Sequence, residues 1–209
     1  MTQRFPFHPY PNSWFVVALS DELPVRGVMP LSYFGQELVL FRGEDGTAHV
    51  FDAYCPHLGA HLGCGGKVEG DSLRCPFHGW RFSGDSGQCV EVPFAAKIPA
   101  RAGLRSWPVR ELDGLIMVYH HTDGQAPTWE IPAMHTPEWT DPFFFKWKLR
   151  TCCQEILENT VDTSHLPTVH AARRPGSYVP KVSEGPVLHH ELNIQWDGAY
   201  IGFPGMEMD

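Results

Sequence analysis

The sequence predicts an α+β protein, with an all-β domain over residues 10–121 and the beginning of a mixed α+β domain over residues 143–209. Twenty glycines and nineteen prolines among 209 residues favour short strands joined by tight loops. The character of the chain changes after residue 121, where prolines at 127, 132, 137 and 142 mark a connector over residues 122–142. We therefore expect one complete β domain followed by part of a second domain.

In the first domain, runs of β-branched and aromatic residues alternate with turn signals. The turn signals are the glycine-containing segments 43–46, 84–87 and 113–114. The predicted strands are residues 14–19, 36–42, 47–54, 79–82, 104–109 and 115–119.

The second domain has a mixed pattern. Residues 143–149 and 189–196 are strand-sized and predict two strands. Between them, apolar residues recur at helical spacing over residues 153–164, which predicts a short amphipathic helix. Pro167 is expected to end that helix, since proline lacks the N–H that a helix interior requires.

Composition excludes several classes of protein. Lysine and arginine total 16 against 24 acidic residues, a net charge of −8, so no nucleic-acid-binding surface is expected. The sequence shows no signal-peptide pattern and no apolar run of about 18 residues that could span a membrane. We therefore expect a soluble, cytoplasmic protein without a membrane span. The six cysteines include two in metal-ligand spacing, which favours a metal site over a disulfide framework.

The first motif pairs Cys55-Pro56-His57 with Cys75-Pro76-Phe77-His78, and 17 residues separate the two segments. Two thiolates and two imidazoles in paired loops can bind either zinc or a [2Fe–2S] cluster. In such a cluster, two cysteines hold one iron and two histidines hold the other. Zinc remains the main rival, although a single residue between Cys55 and His57 is unusual for a zinc knuckle.

Residues 14–121, through the segments C-P-H-L-G-A-H-L and C-P-F-H-G-W, resemble the Rieske family, in its oxygenase type rather than its respiratory type. Respiratory proteins join the two loops by a disulfide, and Phe77 stands at one of the positions that it would need. Trp80 and Phe82 stand where respiratory proteins place hydroxyl donors to the cluster. Because such hydrogen bonds stabilise the reduced state, the resemblance implies a low potential, on the order of −150 mV.

The second motif lies around the predicted helix. Three-residue spacing predicts Asn159, Asp162 and His165 along one helical face, and the break at Pro167 lets His170 return to the same place. Two imidazoles and a carboxylate form the facial triad of non-haem Fe(II) oxygenases. Taken alone, the pattern D-x-x-H-x-x-x-x-H is a moderate signal, and a structural histidine pair is its alternative.

After a Rieske segment, this second motif resembles E-N-x-x-D-x-x-H-x-x-x-x-H of the large subunit of Rieske non-haem iron oxygenases, and the likeness covers about residues 10–180. It implies a helix-grip-like catalytic domain in which His165 and His170 ligate a mononuclear Fe(II). Asp162 and Asn159 would belong to the catalytic machinery, with Asp162 orienting a histidine and relaying electrons. The resemblance also implies a head-to-tail homotrimer, in which Asp162 meets a cluster histidine of the neighbouring subunit.

The run from residue 59 to 82, followed by I-P-A-R and S-W-P-V-R-E, resembles the cholesterol 7-desaturases and, less closely, the 3-ketosteroid 9α-hydroxylases. The resemblance implies electrons from NAD(P)H, a flavoprotein or ferredoxin reductase as partner, and hydroxylation or desaturation of a sterol-like or other hydrophobic substrate. The alternatives are a Rieske ferredoxin that only carries electrons and a redox-sensing regulatory module.

The third iron ligand of this family is an aspartate well over a hundred residues beyond the histidine pair, whereas here 39 residues follow His170. We therefore expect a fragment or a shortened relative, which by itself transfers electrons but hydroxylates nothing. Among the remaining candidates, His61 is expected to bond backbone in its loop. Cys64 and Cys89 are expected to be free, partly buried thiols, and the adjacent cysteines at 152 and 153 to stay reduced.

Overall fold

The computed structural model describes residues 10–93, 95–133, 135–136, 138, 140–181, 185–187 and 190–195. It divides into two compact units, Met1–Phe144 and Phe145–Asp209. Among these described residues, no helix is both long enough and apolar enough to span a membrane.

The first unit is built from short antiparallel strands. Its described strands are β1 Ser13–Leu19, β2 Val28–Tyr33, β3 Gln36–Arg42, β4 Ala48–Asp52, β5 Lys67–Glu69, β6 Ser72–Arg74, β7 Arg81–Ser83, β8 Cys89–Glu91, β9 Ser106–Trp107, β10 Val109–Leu112 and β11 Leu115–His120. They form three sheets with the orders β1-β11-β10, β2-β3-β4-β9 and β5-β6-β7-β8. A 3₁₀ turn, Ser20–Glu22, follows β1.

The predicted strand over residues 36–42 is confirmed with its boundaries, and β1, β4, β7 and β11 lie at four other predicted positions. The single strand predicted over residues 104–109 is wrong, since Pro108 separates β9 from β10 and has no N–H for a ladder. Strands β2, β5, β6 and β8 were not predicted. Three of these have only three residues, too few to show alternation, and β2 carries Pro30 at the edge of its sheet.

Strands β3 and β4 are buried on both faces. Val39, Phe41 and Phe51 face a core that includes the cysteines of the first motif. Leu38 and Leu40 face a second core, shared with β1 and β11. Because both faces are covered, β3 is a continuous apolar run rather than an alternating one.

A buried arginine joins β3 to β10. Arg42 donates to both carboxylate oxygens of Glu111, at 2.7 and 2.9 Å. It also donates to the carbonyls of Leu23, Gly46 and Ser20, at 2.8, 2.7 and 3.3 Å. The hydrogen bond from Arg42 lowers the pKa of Glu111, so both partners are charged at neutral pH. The guanidinium therefore has acceptors for its buried donors, as a buried charge requires.

The second unit contains helices α1 Cys153–Asn159 and α2 Leu166–Val169 and the hairpin of β12 Ser177–Pro180 with β13 His190–Asn193. The strand predicted over residues 143–149 is wrong: these residues pair with no strand in the described part of the chain. The strand predicted over residues 189–196 contains β13, while residues 189 and 196 lie outside the described residues. Strand β12 was not predicted.

The helix predicted over residues 153–164 is too long. It ends at Asn159, and a turn separates it from α2. Pro167 lies in the first turn of α2, where a missing N–H breaks no helical hydrogen bond. The proline therefore helps to begin a second helix rather than to end the first.

Candidate metal centres

The two halves of the first motif fold into loops of the same shape, loop 1 (residues 55–60) and loop 2 (residues 75–80). In each, the cysteine N–H donates to the carbonyl five residues later, at 2.9 Å in loop 1 and 2.8 Å in loop 2. The glycine four positions after the cysteine donates back to the cysteine carbonyl, at 2.9 and 3.2 Å. These glycines, Gly59 and Gly79, have φ of 72° and 73°, a conformation that side chains disfavour. Glycine is therefore the favoured residue in both turns.

The two loops bring the four predicted ligands together as two pairs. Cys55 and Cys75 are each 3% exposed and lie in hydrogen-bond contact. The rings of His57 and His78 have centroids 4.7 Å apart, and both histidines are exposed. The structure thus places a buried pair of thiols beside an outer pair of imidazoles.

This donor set fits two metal ions better than one. In a [2Fe–2S] cluster of the Rieske type, one iron takes the cysteine pair and the other takes the histidine pair. Among the described residues, no three His, Cys, Asp or Glu side chains are grouped closely enough to hold a single ion. Burial raises the pKa of Cys55 to about 11, so binding of metal must displace a proton from this thiol.

Aromatic side chains flank both histidines. The indole of Trp80 stacks on the ring of His57, with centroids 4.6 Å apart and an angle of 10° between the planes. Phe77 packs against His78 at 3.9 Å. From the sequence, Trp80 was expected only to lack a hydroxyl donor, and its stacking across the loops was not predicted. Trp80 directly follows the second glycine turn, and this position is the signal that could have suggested a contact with a ligand histidine.

The remaining expectations about the first unit are mostly confirmed. The N–H of Gly63 donates to Nδ1 of His61 at 3.1 Å, as expected for a loop histidine bonded to backbone. Cys89 is buried, but Cys64 is exposed, so the expectation of a partly buried thiol is wrong there. No cysteine of the described residues forms a disulfide, and the reduced state of the adjacent pair in the second unit remains a prediction.

The second unit brings His165 and His170 together, with ring centroids 5.2 Å apart. The two residues flank α2, which makes a single turn between them. The expected arrangement of Asn159, Asp162 and His165 on one helical face is wrong. Asn159 closes α1, Asp162 lies in the following turn, and His165 immediately precedes α2.

Asp162 still contacts His165, with 3.1 Å between Oδ2 and Nδ1. Its carboxylate also accepts hydrogen bonds from the N–H and the hydroxyl of Ser164. These bonds, and to a smaller extent His165, lower the pKa of Asp162. When a carboxylate accepts a hydrogen bond from Nδ1–H, the lone pair of His165 is on Nε2. This tautomer can bind a metal through Nε2. The predicted ligands are His165 and His170, and among the described residues no group of three His, Cys, Asp or Glu side chains that could hold a metal ion includes them.

Residues 13–108 match the Rieske [2Fe-2S] domain family, which identifies the first unit as a Rieske domain. Residues 118–200 match the family of the 3-Ketosteroid 9alpha-hydroxylase C-terminal domain. The two matches follow one another along the chain, and the chain belongs to the Rieske oxygenase family. The resemblance proposed from the sequence and the predicted fold class are both confirmed.

Similar proteins agree with this assignment. Cholesterol 7-desaturase of Bombyx mori is 42% identical over 198 residues, which cover 90% of this chain and 42% of the relative. A probable 3-ketosteroid-9-alpha-monooxygenase, oxygenase component, of Rhodococcus rhodochrous is 37% identical over 167 residues, covering 77% and 41%. The crystal structure of dicamba monooxygenase with non-heme iron and dicamba is 35% identical, with a TM-score of 0.53, and covers 59% of this chain and 37% of its own. The chain thus spans less than half the length of each of these relatives.

Proposed function

We propose that this chain is the electron-accepting part of a Rieske oxygenase that hydroxylates or desaturates a sterol or a similar hydrophobic substrate. The observation that carries the proposal is the convergence of two thiols and two imidazoles on twin loops, in a chain that also holds a histidine pair flanking α2. The sterol part of the proposal rests on the similarity to the cholesterol 7-desaturases.

In the first unit, Cys55 and Cys75 would hold one iron of the cluster, and His57 and His78 the other. The cluster supplies one-electron transfer when it is bound. The chain keeps the cysteine pair in the protein core, away from water, and leaves the histidine edges facing solvent. The stacked indole of Trp80 fixes the plane of His57.

Three exposed apolar side chains lie within the twin loops or next to them in sequence. They are Tyr54, Leu58 and Phe77, whose exposed fractions are 53%, 65% and 63%, and Phe77 packs against His78. Exposed apolar side chains around a functional group are typical of a surface that another protein contacts transiently. We propose that a flavoprotein or ferredoxin reductase, supplied by NAD(P)H, delivers electrons here.

In the second unit, His165 and His170 would hold a mononuclear Fe(II), which provides a site for dioxygen when it is bound. Asp162 would accept a hydrogen bond from Nδ1–H of His165 and so keep Nε2 available to metal. Its side chain is 48% exposed. This exposure leaves it accessible to a cluster histidine of a neighbouring subunit, in the head-to-tail homotrimer that we propose. Asn159 remains a predicted member of the catalytic machinery.

An electron carrier without catalytic activity is the alternative. Such a carrier needs little more than the Rieske domain, whereas residues 118–200 match a catalytic domain. We therefore favour the oxygenase. A cytoplasmic location remains a prediction.

The proposal predicts that a ferredoxin reductase with ferredoxin and NADPH bleaches the visible absorption of the chain under argon, and that air restores it. Cholesterol and a 3-ketosteroid would then be incubated with the same mixture in air and the products analysed by mass spectrometry. Oxygen-dependent conversion of a sterol supports the whole proposal. Bleaching without conversion limits this chain to accepting electrons, and failure to bleach contradicts that role.

A further inference from the structure

Arg74 is the last residue of β6 and immediately precedes Cys75. Its Nε and Nη2 donate to the two carboxylate oxygens of Glu69, at 2.6 and 2.7 Å, and Nη2 also reaches Glu91 at 3.2 Å. The remaining nitrogen, Nη1, donates to the carbonyl of Gly79 at 2.8 Å. One guanidinium therefore joins loop 2 to β5 and β8.

This contact distinguishes the two loops. A Cβ added to Gly59 of loop 1 would meet no atom within 4 Å, apart from its chain neighbours. At the equivalent position of loop 2, a Cβ added to Gly79 would meet Pro93 at 3.0 Å and Nη1 of Arg74 at 3.4 Å. Two loops of the same backbone shape thus have different surroundings, and the one that carries His78 is braced.

The carboxylates that hold the Arg74 guanidinium are themselves charged and well positioned. Glu69 and Glu91 have pKa values below their ordinary range, because Arg74 donates to the first and Arg81 to the second, so both carboxylates are charged at neutral pH. Both oxygens of Glu69 meet the planar fork of Arg74, a geometry that a lysine cannot reproduce. The fork sets the direction of Nη1, which is the group that reaches Gly79.

We propose that Arg74 is a positioning residue for the metal cluster. The N–H of Gly79 is held by the carbonyl of Cys75 and its carbonyl is held by Arg74, so the backbone on the far side of His78 is fixed at two points. Fixing this backbone holds the imidazole of His78 in the direction of its iron. The inference rests on the proposed function, since it presumes that loop 2 carries cluster ligands.

Arg81 offers a matched control. Arg74 and Arg81 are cross-strand partners in the ladder of β6 and β7, and both donate to Glu91. Arg74→Gln and Arg81→Gln therefore remove the same charge from neighbouring positions, but only the first removes the bond to Gly79. Both variants and the wild-type chain would be loaded with cluster under argon. The measurements are the electron paramagnetic resonance spectrum of the reduced state and the rate of iron loss to a chelator.

We expect Arg74→Gln to shift the g values and to lose iron about tenfold faster or more. Loss of a group that orients a metal ligand generally weakens metal binding by at least this factor. Arg81→Gln should keep the wild-type spectrum and a rate within about twofold, because it removes only a partly exposed ion pair. Equal spectra and rates in the two variants would overturn the proposal.

If Arg74→Gln yields no folded protein, Arg74→Lys decides the question, because it keeps the charge but cannot bond Glu69 and Gly79 as the fork does. A shifted spectrum supports the role of Arg74, and a wild-type spectrum overturns it. Failure of the wild-type chain to bind any cluster is a different result, and it contradicts the proposed function instead.

Discussion

Replacing Cys75 by serine is expected to leave the purified chain without a [2Fe–2S] cluster. The hydroxyl is close in size to the thiol, so the buried site can still fold, but it is not the soft thiolate ligand that an iron–sulfur cluster requires. Iron and acid-labile sulfide should fall from about two each per chain to nearly none, following the composition of such clusters. Visible absorption, iron assay and sulfide assay measure the loss.

Cys64→Ser is the control for this variant. Cys64 is an exposed, free cysteine in the same part of the chain, and it lies outside both loops. Its replacement should leave iron and sulfide at the wild-type level. A Cys75→Ser protein that keeps its cluster, or a Cys64→Ser protein that loses it, contradicts the assignment of ligands.

Replacing His165 by alanine is expected to abolish binding of Fe(II) beyond that of the cluster. The wild-type chain should take up one additional Fe(II) per chain through the imidazoles of His165 and His170, whose rings lie 5.2 Å apart. A single remaining histidine is a poor site for a divalent metal, because it offers one donor in place of a chelate. Anaerobic dialysis of the cluster-loaded chain against Fe(II) measures the uptake, and the sulfide content shows that the cluster is intact.

Asp162→Asn and Thr168→Ala complete this series. Without the carboxylate that accepts from Nδ1 of His165, the affinity for Fe(II) should fall about tenfold or more. Thr168 lies on α2 between the histidines, and the bond that it makes to His165 comes from its backbone N–H. Its replacement should therefore leave the affinity unchanged. Fe(II) binding by His165→Ala as tight as that of the wild-type chain refutes a role for this pair.

The first unit shows why some elements can be predicted from sequence and others cannot. Strand β3 is a long apolar run between clear turns, so its boundaries could be predicted. Strands β5, β6 and β8 contain three residues each, and their pairing depends on neighbours that a local pattern does not reveal. The four residues of the twin loops were predicted as ligands because thiols and imidazoles at close spacing are rare outside metal sites.

The contacts around those residues depend on the tertiary structure. The stacking of Trp80 on His57 joins two loops that lie far apart in sequence. The contact between Arg74 and Glu91 likewise spans 17 residues. Neither could be predicted, since no periodicity relates the partners.

In the second unit, the residues were predicted better than the backbone that carries them. The approach of His165 to His170 and the contact of Asp162 with His165 were expected, and the structure contains both. The continuous helix was wrong, because proline in a first helical turn is compatible with a new helix. Sequence spacing alone does not distinguish a proline that ends one helix from a proline that begins the next.

The content of iron, zinc and acid-labile sulfide in the wild-type chain, purified and kept without oxygen, decides whether the twin loops hold a [2Fe–2S] cluster. We expect two sulfides per chain and at least two irons, with the cluster held by Cys55, His57, Cys75 and His78. A third iron would indicate that His165 and His170 also hold metal. A chain that contains zinc and no sulfide would contradict the account, since the same thiols and imidazoles would then form a zinc site.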